Sequence, residues 1–340
     1  MTGNSDFTFT DVAVLSVQAC TAPLVVTSSD LDRRLAPFYR RTRTMSGLVT
    51  SLAGELERRQ WPADVTFTQA AATAGERAIV ASGIDRSRIG LVIDTSVSRA
   101  RLEPSSAVSV HHRLGLAPNC LNFDVANACL GFITGMHVAG TLIDAGQIDY
   151  ALVVDGEGTR EIYDNTIERL NERGEGLPDL LANFATFTLG SGSAAMVLGR
   201  HSTHPAGHRL LGGLFRADSS HHELCIGTID GGTTDARALL EAGIGLAATT
   251  WERAGATGRW GNRDRYIFHQ VSEVHTKTMV QTLGVDPAKV PTTFTRYGNI
   301  GPAAIPITLT TVADELTRGD IVLCMGIGSG LNVGVIELQW

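Results

Sequence analysis

FDVANACLGF, residues 123–132, runs from a strand-like apolar stretch through a turn into a lone cysteine, Cys129, flanked by small residues. Helical periodicity begins immediately afterwards. Residues 130–143 carry apolar side chains at helical spacing, and Gly131, Gly135, Ala139 and Gly140 are small enough to let a buried helix pack closely. Cys129 is thereby placed at the start of that helix. There, unpaired N–H groups and the positive end of the helix dipole favour thiolate over thiol, lowering the pKa and making the sulfur a nucleophile. Most free cysteines simply pack, so position alone does not make this one reactive.

Outward from this segment, strand and helix signals alternate, which favours α/β layers. IGLVIDTSVS (89–98) reads as a buried strand, preceded by an Ala-rich helix over 68–82 and followed by a second helix after Ser105. YALVVDGE (150–157) and TFTLGSGSAAMVLG (186–199) read as further strands. From about Gly207 the order recurs: RYIFHQVS answers IGLVIDTSVS, YGNIGPAAIPITLTTVADEL answers the segment carrying Cys129, and DIVLCMGIGSGLNVGVIEL answers the two closing strands together. Two related halves follow, 1–200 with the nucleophile and 207–340 with its polar partners. In the second half the closing strands are nearly contiguous, whereas residues 158–185 separate them in the first. That insert is charged and turn-rich, too long for an ordinary loop; it reads as a lid, channel wall, partner contact or solvated excursion.

Composition narrows the function classes. The chain has 340 residues, 43% hydrophobic and 19% charged, enough to bury a sizeable core in one large or two smaller domains. A net charge of -7 and a pI near 5.8 offer no basic field for nucleic acid or an anionic membrane. Cys20, Cys120, Cys129, Cys225 and Cys324 form no CxxC pair and no Cys/His cluster at zinc spacing, a pattern expected of reduced thiols and of no metal site. The start, MTGNSDFTF, lacks a secretory signal, and no apolar run reaches bilayer length, so a cytoplasmic protein without a transmembrane segment is expected. His111 with His112, and His221 with His222, lack a third nearby metal ligand; His275 is expected to face solvent or pack on the helix after His269.

Two polar residues occupy comparable strand ends in the second half. His269 follows YIF and precedes QVS, with Ser272 available as a helix cap; Asn299 lies between glycines in RYGNIGP, at a turn before another helix. A lone histidine at a strand end is usually a satisfied core group. Nucleophile, imidazole and amide together are harder to dismiss.

FDVANACLGF, IFHQVS, YGNIGPAAIP and GIGSGLN, in this order, resemble the four active-site segments of the thiolase superfamily in its ketosynthase III branch, over nearly the whole chain. The resemblance implies a five-layered α/β/α/β/α fold of two duplicated halves. It makes Cys129 the acyl-accepting nucleophile and has His269 with Asn299 bind a thioester oxygen. The backbone N–H groups of Cys129 and Ser329 would form a second oxyanion hole, where fixed donors stabilise developing charge by about 3 to 4 kcal/mol each. Degradative thiolases carry a second catalytic cysteine in a CxG segment; here Cys324 lies within the apolar run IVLCM and reads as packed, which favours a condensing enzyme.

The run TSVSRARLEPSSA is further similar to the OleA-type condensing enzymes of this superfamily. In that group the glutamate of LEPS reaches across a dimer interface as a base, a role that falls on Glu103, biased to an extended conformation by Pro104 and followed by capping Ser105 or Ser106. The resemblance implies an acyltransferase, a non-decarboxylative head-to-head Claisen condensation of two fatty acyl-CoAs, a homodimer, no permanently bound cofactor, and downstream lipid-pathway enzymes as possible partners. LERRQW, with Arg58, Arg59 and Trp61, resembles a basic and aromatic stretch at the CoA entrance. Two alternatives stay open: a decarboxylating ketosynthase III or other acyl-transferring enzyme using the same cysteine, and one subunit of a heterodimeric condensing enzyme. Cys129 and Glu103 in a single chain favour the homodimer.

Overall fold

The computed structural model describes residues 6–54, 56–228, 231–255 and 260–340. Among the described residues ten strands make the main sheet, nine of them along one path. The first half supplies β1 (Ala13–Thr21), β2 (Ile89–Asp94), β3 (Leu121–Asp124), β4 (Tyr150–Glu157) and β5 (Gly192–Gly199); the second supplies β6 (His208–Ala217), β7 (Arg265–Phe268), β8 (Ile321–Gly328) and β9 (Asn332–Gln339). Their order is β7-β8-β9-β6-β1-β5-β4-β2-β3, with Asp6–Thr8 added along β6. Along the path of the sheet the halves join where Ala13 and Val14 of β1 pair with Arg209 and His208 of β6. Outward from that seam both halves run first strand, last strand, next-to-last, then second, and the first half adds β3 as an edge. The parallel pairs β2–β3, β2–β4 and β7–β8 are the ones that need crossover helices.

Those helices make the layers. Between the half-sheets lie α3 (Gly131–Asp144) and α6 (Ala304–Val312), in a core joining Leu91, Ile93, Ile133 and Met136 of one half to Ile305, Ile307, Val322 and Ile336 of the other. On the outer face of the first half lie α1 (Phe67–Ser82) and α2 (Ser106–Leu114); α4 (Ala236–Gly255) and α5 (Glu273–Leu283) cover the second. The result is the five-layered α/β/α/β/α arrangement of two duplicated halves. Every residue of β4 is buried, as a near-continuous apolar run covered on both faces requires. Helix α1 begins in a capping box, with Thr66 accepting from the Gln69 N–H, and stops at left-handed Gly83.

Two segments differ from their sequence reading. Only 192–199 of the stretch 186–199 is strand; Phe184–Thr188 forms a 3-10 turn, and Leu189 turns aside to bridge Asn299. The insert 158–185 forms helices Arg160–Arg173 and Leu177–Ala182, which pack on three short N-terminal helices (Ser28–Arg34, Ala36–Thr42, Leu48–Ala53) around Leu31, Phe38, Tyr163 and Leu170. Arg41 donates to the carbonyls of Leu170 and Gly174 at 2.8 and 2.7 Å, closing the end of the longer helix. The insert is a packed helical layer and not a solvated excursion. Among the described residues no helix is long and apolar enough to cross a membrane.

Candidate active site

Cys129 lies in a 3-10 turn, Ala128–Leu130, that feeds α3. The turn is tight: Ala128 holds a φ of +43°, uncommon for a residue with a side chain, and the Leu130 N–H donates to the Asn127 carbonyl at 3.0 Å. Asn127 in turn donates to Thr134 Oγ1 at 3.0 Å, and Thr134 to the Leu130 carbonyl at 2.9 Å. Gly131 and Gly135 let the start of α3 lie directly on Thr95, just past the end of β2: a methyl at Gly131 would meet the Thr95 carbonyl group, and one at Gly135 would come within 2.8 Å of Thr95 Cγ2. Cys129 is thus seated by backbone contact, not by a loose loop.

His269 stands one residue past β7, its N–H donating to the Met325 carbonyl of β8 at 2.8 Å. Gly326, next along β8, faces both Leu130 of the cysteine turn and the β-carbon of His269; Gly328 faces the Asn127 carbonyl and Ala128, so that Ser329 follows where the strand passes over the turn. Asn299 is pinned by its backbone, donating to the Thr188 carbonyl and accepting from Gly190, both at 2.8 Å. Its Oδ1 accepts from the Gly301 N–H at 3.0 Å and lies 3.1 Å from His269 Nε2. Because that oxygen is fixed as an acceptor, Nε2 carries the proton, and the Asn299 amide nitrogen is left as a donor. His269 Nδ1 is buried and has no hydrogen-bond partner among the described residues. Burial holds the imidazole neutral, its pKa down at about 4.

The thiol departs from the sequence expectation. Burial pushes Cys129 up to about 12, with Glu157, Cys225 and Asp155 acting in the same direction, and the cysteine's own N–H works against them. Burial, with the neighbouring acidic groups, opposes the helix tip and favours thiol over thiolate. A neutral imidazole with a bare nitrogen suits that state better than an imidazolium would. Cys324, on β8 between Ile267 and Ile336, is buried and raised to about 12 by burial alone, a packed residue as read.

Several neighbours were missed in the sequence. Asp94, Asp155 and Glu157 end the adjacent strands β2 and β4 beneath the cysteine turn, all buried. Burial raises Asp94 to about 6 and Glu157 to about 7, and drives Asp155 well above the carboxylate range, where Glu157 adds to the effect. Cys225, in the hairpin Cys225–Thr228 with Gly231–Thr234, lies close enough for its charge to act on Cys129. His275 is half-buried, on the packing side of its reading, and burial, with His269 nearby, lowers its pKa to about 4. Gln270 fixes the loop opposite, accepting from Thr293 and Phe294 N–H groups at 2.8 and 3.0 Å.

The CoA-entrance reading needs correction at Arg58. Its side chain is fully buried and donates to the carbonyls of Phe187 and Leu56, both at 2.6 Å, and to Ser28 Oγ at 2.9 Å. It braces the segment that holds Asn299 and faces no entrance. Arg59 stays partly exposed, 5.9 Å from the Tyr297 ring centre beside Arg296, while the Trp61 indole donates to the Glu157 carbonyl at 2.9 Å. Glu103 lies far from burial, on an exposed loop before α2 that Ser105 caps. Among the described residues no group of three His, Cys, Asp or Glu side chains is placed to hold a metal.

Comparison with known proteins finds relatives along nearly the whole chain. Residues 123–219 fit the model of 3-oxoacyl-[acyl-carrier-protein] synthase III, and residues 258–340 fit that of its C-terminal part. An acyl-CoA:acyl-CoA alkyltransferase of Xanthomonas campestris is 41% identical over 336 residues, 98% of this chain and 99% of that one. The chain belongs to the ketosynthase III family of the thiolase superfamily. Within that family it is similar to OleA proteins: a Shewanella oneidensis acyl-CoA:acyl-CoA alkyltransferase is 35% identical, covering 94% of this chain and 96% of the other. A crystal structure of Xanthomonas campestris OleA with bound lauric acid and lauroyl-CoA superposes with a TM-score of 0.93 at 40% identity, covering 98% of this chain and all of that one. This ketosynthase III relative is an acyltransferase of the condensing type.

Proposed function

We propose that the protein condenses two fatty acyl-CoAs head to head, without decarboxylation, in a homodimer. Cys129 attacks the first thioester, and the thiol proton leaves with the CoA sulfur. The Asn299 amide nitrogen and the His269 Nε2–H, turned from Asn299 Oδ1 to the substrate, bind the thioester oxygen, and the N–H groups of Cys129 and Ser329 bind the oxygen of the acyl-enzyme. Glu103 of the neighbouring copy takes a proton from the α-carbon of the second acyl-CoA. The carbanion attacks the acyl-enzyme carbonyl, Cys129 departs, and the proton held by Glu103 restores the thiol. The product is a 2-alkyl-3-ketoacyl-CoA, hydrolysed to the β-keto acid and CoA. Arg59 with Arg296 is the better-placed basic pair for CoA phosphates, with Trp61 behind them.

The observation that carries this reading is the division of labour in one subunit. The Cys129 turn and His269, itself hydrogen-bonded to Asn299, flank Gly326, whereas Glu103 is on an exposed loop beside the edge strand β3, with Leu102 and Leu121 also exposed. A second copy covering that edge receives the carboxylate and buries the apolar side chains. The test is incubation with one saturated acyl-CoA and no malonyl donor, products identified by mass. A β-keto acid or ketone of doubled length is expected. A requirement for malonyl thioester, with release of carbon dioxide, would select the decarboxylating alternative.

A further inference from the structure

The loop bearing Glu103 is clamped at both ends by carboxylates. At its far end, Asp124 accepts from the Ser106 and Ala107 N–H groups at 2.9 and 2.8 Å, with Arg99 3.6 Å away. At its root, Glu157 Oε1 accepts from the Val97 N–H at 2.6 Å, and Oε2 from the Ser98 N–H at 3.1 Å and the Ser98 hydroxyl at 2.6 Å. The Ser98 hydroxyl oxygen accepts from the Gly158 N–H at 3.0 Å, and Ser96 Oγ from the Gly156 N–H at 2.8 Å, sewing the root onto the end of β4. Arg99 donates to the Ser96 and Ser98 carbonyls. Only residues 100–104 between the clamps are exposed.

The root clamp also borders the subunit's own reaction centre. A β-carbon on Gly301, in the Asn299 turn, would lie 3.6 Å from Glu157 Oε1, and the charge of Glu157 is felt at Cys129. Three donors occupy the Glu157 carboxylate, and the side chain is only 7% exposed. A carboxylate tied in this way is poorly suited to swing out and collect a proton from substrate.

We propose that Glu157 is a positioning residue that sets the stance of the Glu103 arm which its subunit lends to the partner's site. The proposal rests on Glu103 acting across the dimer. It makes the larger effect of Glu157 appear in the neighbouring site.

Mixed dimers separate the two. One subunit carries Cys129→Ala, so only the other subunit's site is live, and the Cys129→Ala subunit lends its arm to that site. Glu157→Gln is placed in either the lending or the live subunit, and condensation is measured per acylated Cys129. The lending placement is expected to be at least fivefold slower than the live placement. Ser98→Ala in the lending subunit is expected to act in the same direction, and Ser98→Thr, which keeps the hydroxyl, to restore the rate. Equal effects in both placements, a larger effect in the live placement, or none in either would overturn the proposal. Glu103→Ala in the same two placements is the companion measurement. If it acts only from the lending subunit while Glu157→Gln does not, the clamp is wrong alone; if it has no effect from the lending subunit, the reading of Glu103 is wrong.

Discussion

Gly131→Ala tests how closely the reaction depends on the seat of Cys129. Gly131 has ordinary helical dihedrals, so alanine brings no backbone strain of its own. Its methyl would sit 3.2 Å from Thr95 Cβ, 3.3 Å from the Thr95 carbonyl carbon and inside contact distance of the carbonyl oxygen. Restoring an ordinary separation there moves the start of α3, and the cysteine two residues earlier, by about 1 Å. A displacement of that size costs roughly a hundredfold in rate where geometry is tight, and overpacking of this kind costs about 1 to 3 kcal/mol of stability. The assay is the rate of acyl transfer from acyl-CoA to Cys129, followed by intact mass, beside thermal unfolding. Gly140→Ala is the control: its methyl meets the ring of Phe9, a side chain, at 2.8 Å near the far end of the same helix. It is expected to lower stability comparably and slow acylation less than threefold. Wild-type acylation in Gly131→Ala, or an equal loss in Gly140→Ala, would refute the reasoning.

Other consequences can be checked separately. Asn299→Asp keeps an oxygen for Gly301 and His269 but replaces the free amide donor with a second acceptor; acyl transfer is expected to fall about a hundred- to a thousandfold, and a loss under tenfold would remove the amide from the oxyanion site. Arg58→Met leaves two carbonyls and a hydroxyl without their buried donor, so the unfolding free energy is expected to drop by about 2 to 5 kcal/mol, while KM for acyl-CoA in the folded fraction stays within twofold; a large rise in KM alone would return Arg58 to the entrance. His269 and His275 stay neutral to about pH 4 when folded but protonate near 6.5 when unfolded. The unfolded chain therefore binds more protons as pH falls through that window, and stability is expected to decline from 6.5 toward 4. Replacing both by asparagine is expected to flatten the slope; an unchanged slope would place the acid sensitivity elsewhere.

Much of this was legible because the chemistry sits where patterns change. Cys129 and His269 follow apolar strand-like runs and Asn299 lies in a glycine-flanked turn, each ahead of a helix, so alternation and turn signals singled them out, and the duplicated order of strands gave the layers. What was not legible depends on facing and on non-local charge. In the short strand Glu57–Gln60 the adjacent arginines must point to opposite sides, and nothing local says that Arg58 goes in and Arg59 out. The direction of the thiol's shift was misjudged because its burial, and after that the approach of Glu157 and Asp155 through strand pairing, arise only in the fold. A signal existed: LVID and VVDGE both end apolar runs in acids, and parallel neighbours end at one edge of a sheet. His275 was read as ordinary because only folding brings it near His269.

The most direct test of the central claim uses a mixed dimer with Cys129→Ala in one subunit and Glu103→Ala in the other. Each homodimer of these variants is expected to be inactive in condensation. In the mixed dimer, the site that keeps Cys129 receives Glu103 from its neighbour, so one working site per dimer and about half the wild-type rate are expected. If Glu103 serves its own subunit, both sites lack one group and the mixed dimer would be as inactive as its parents.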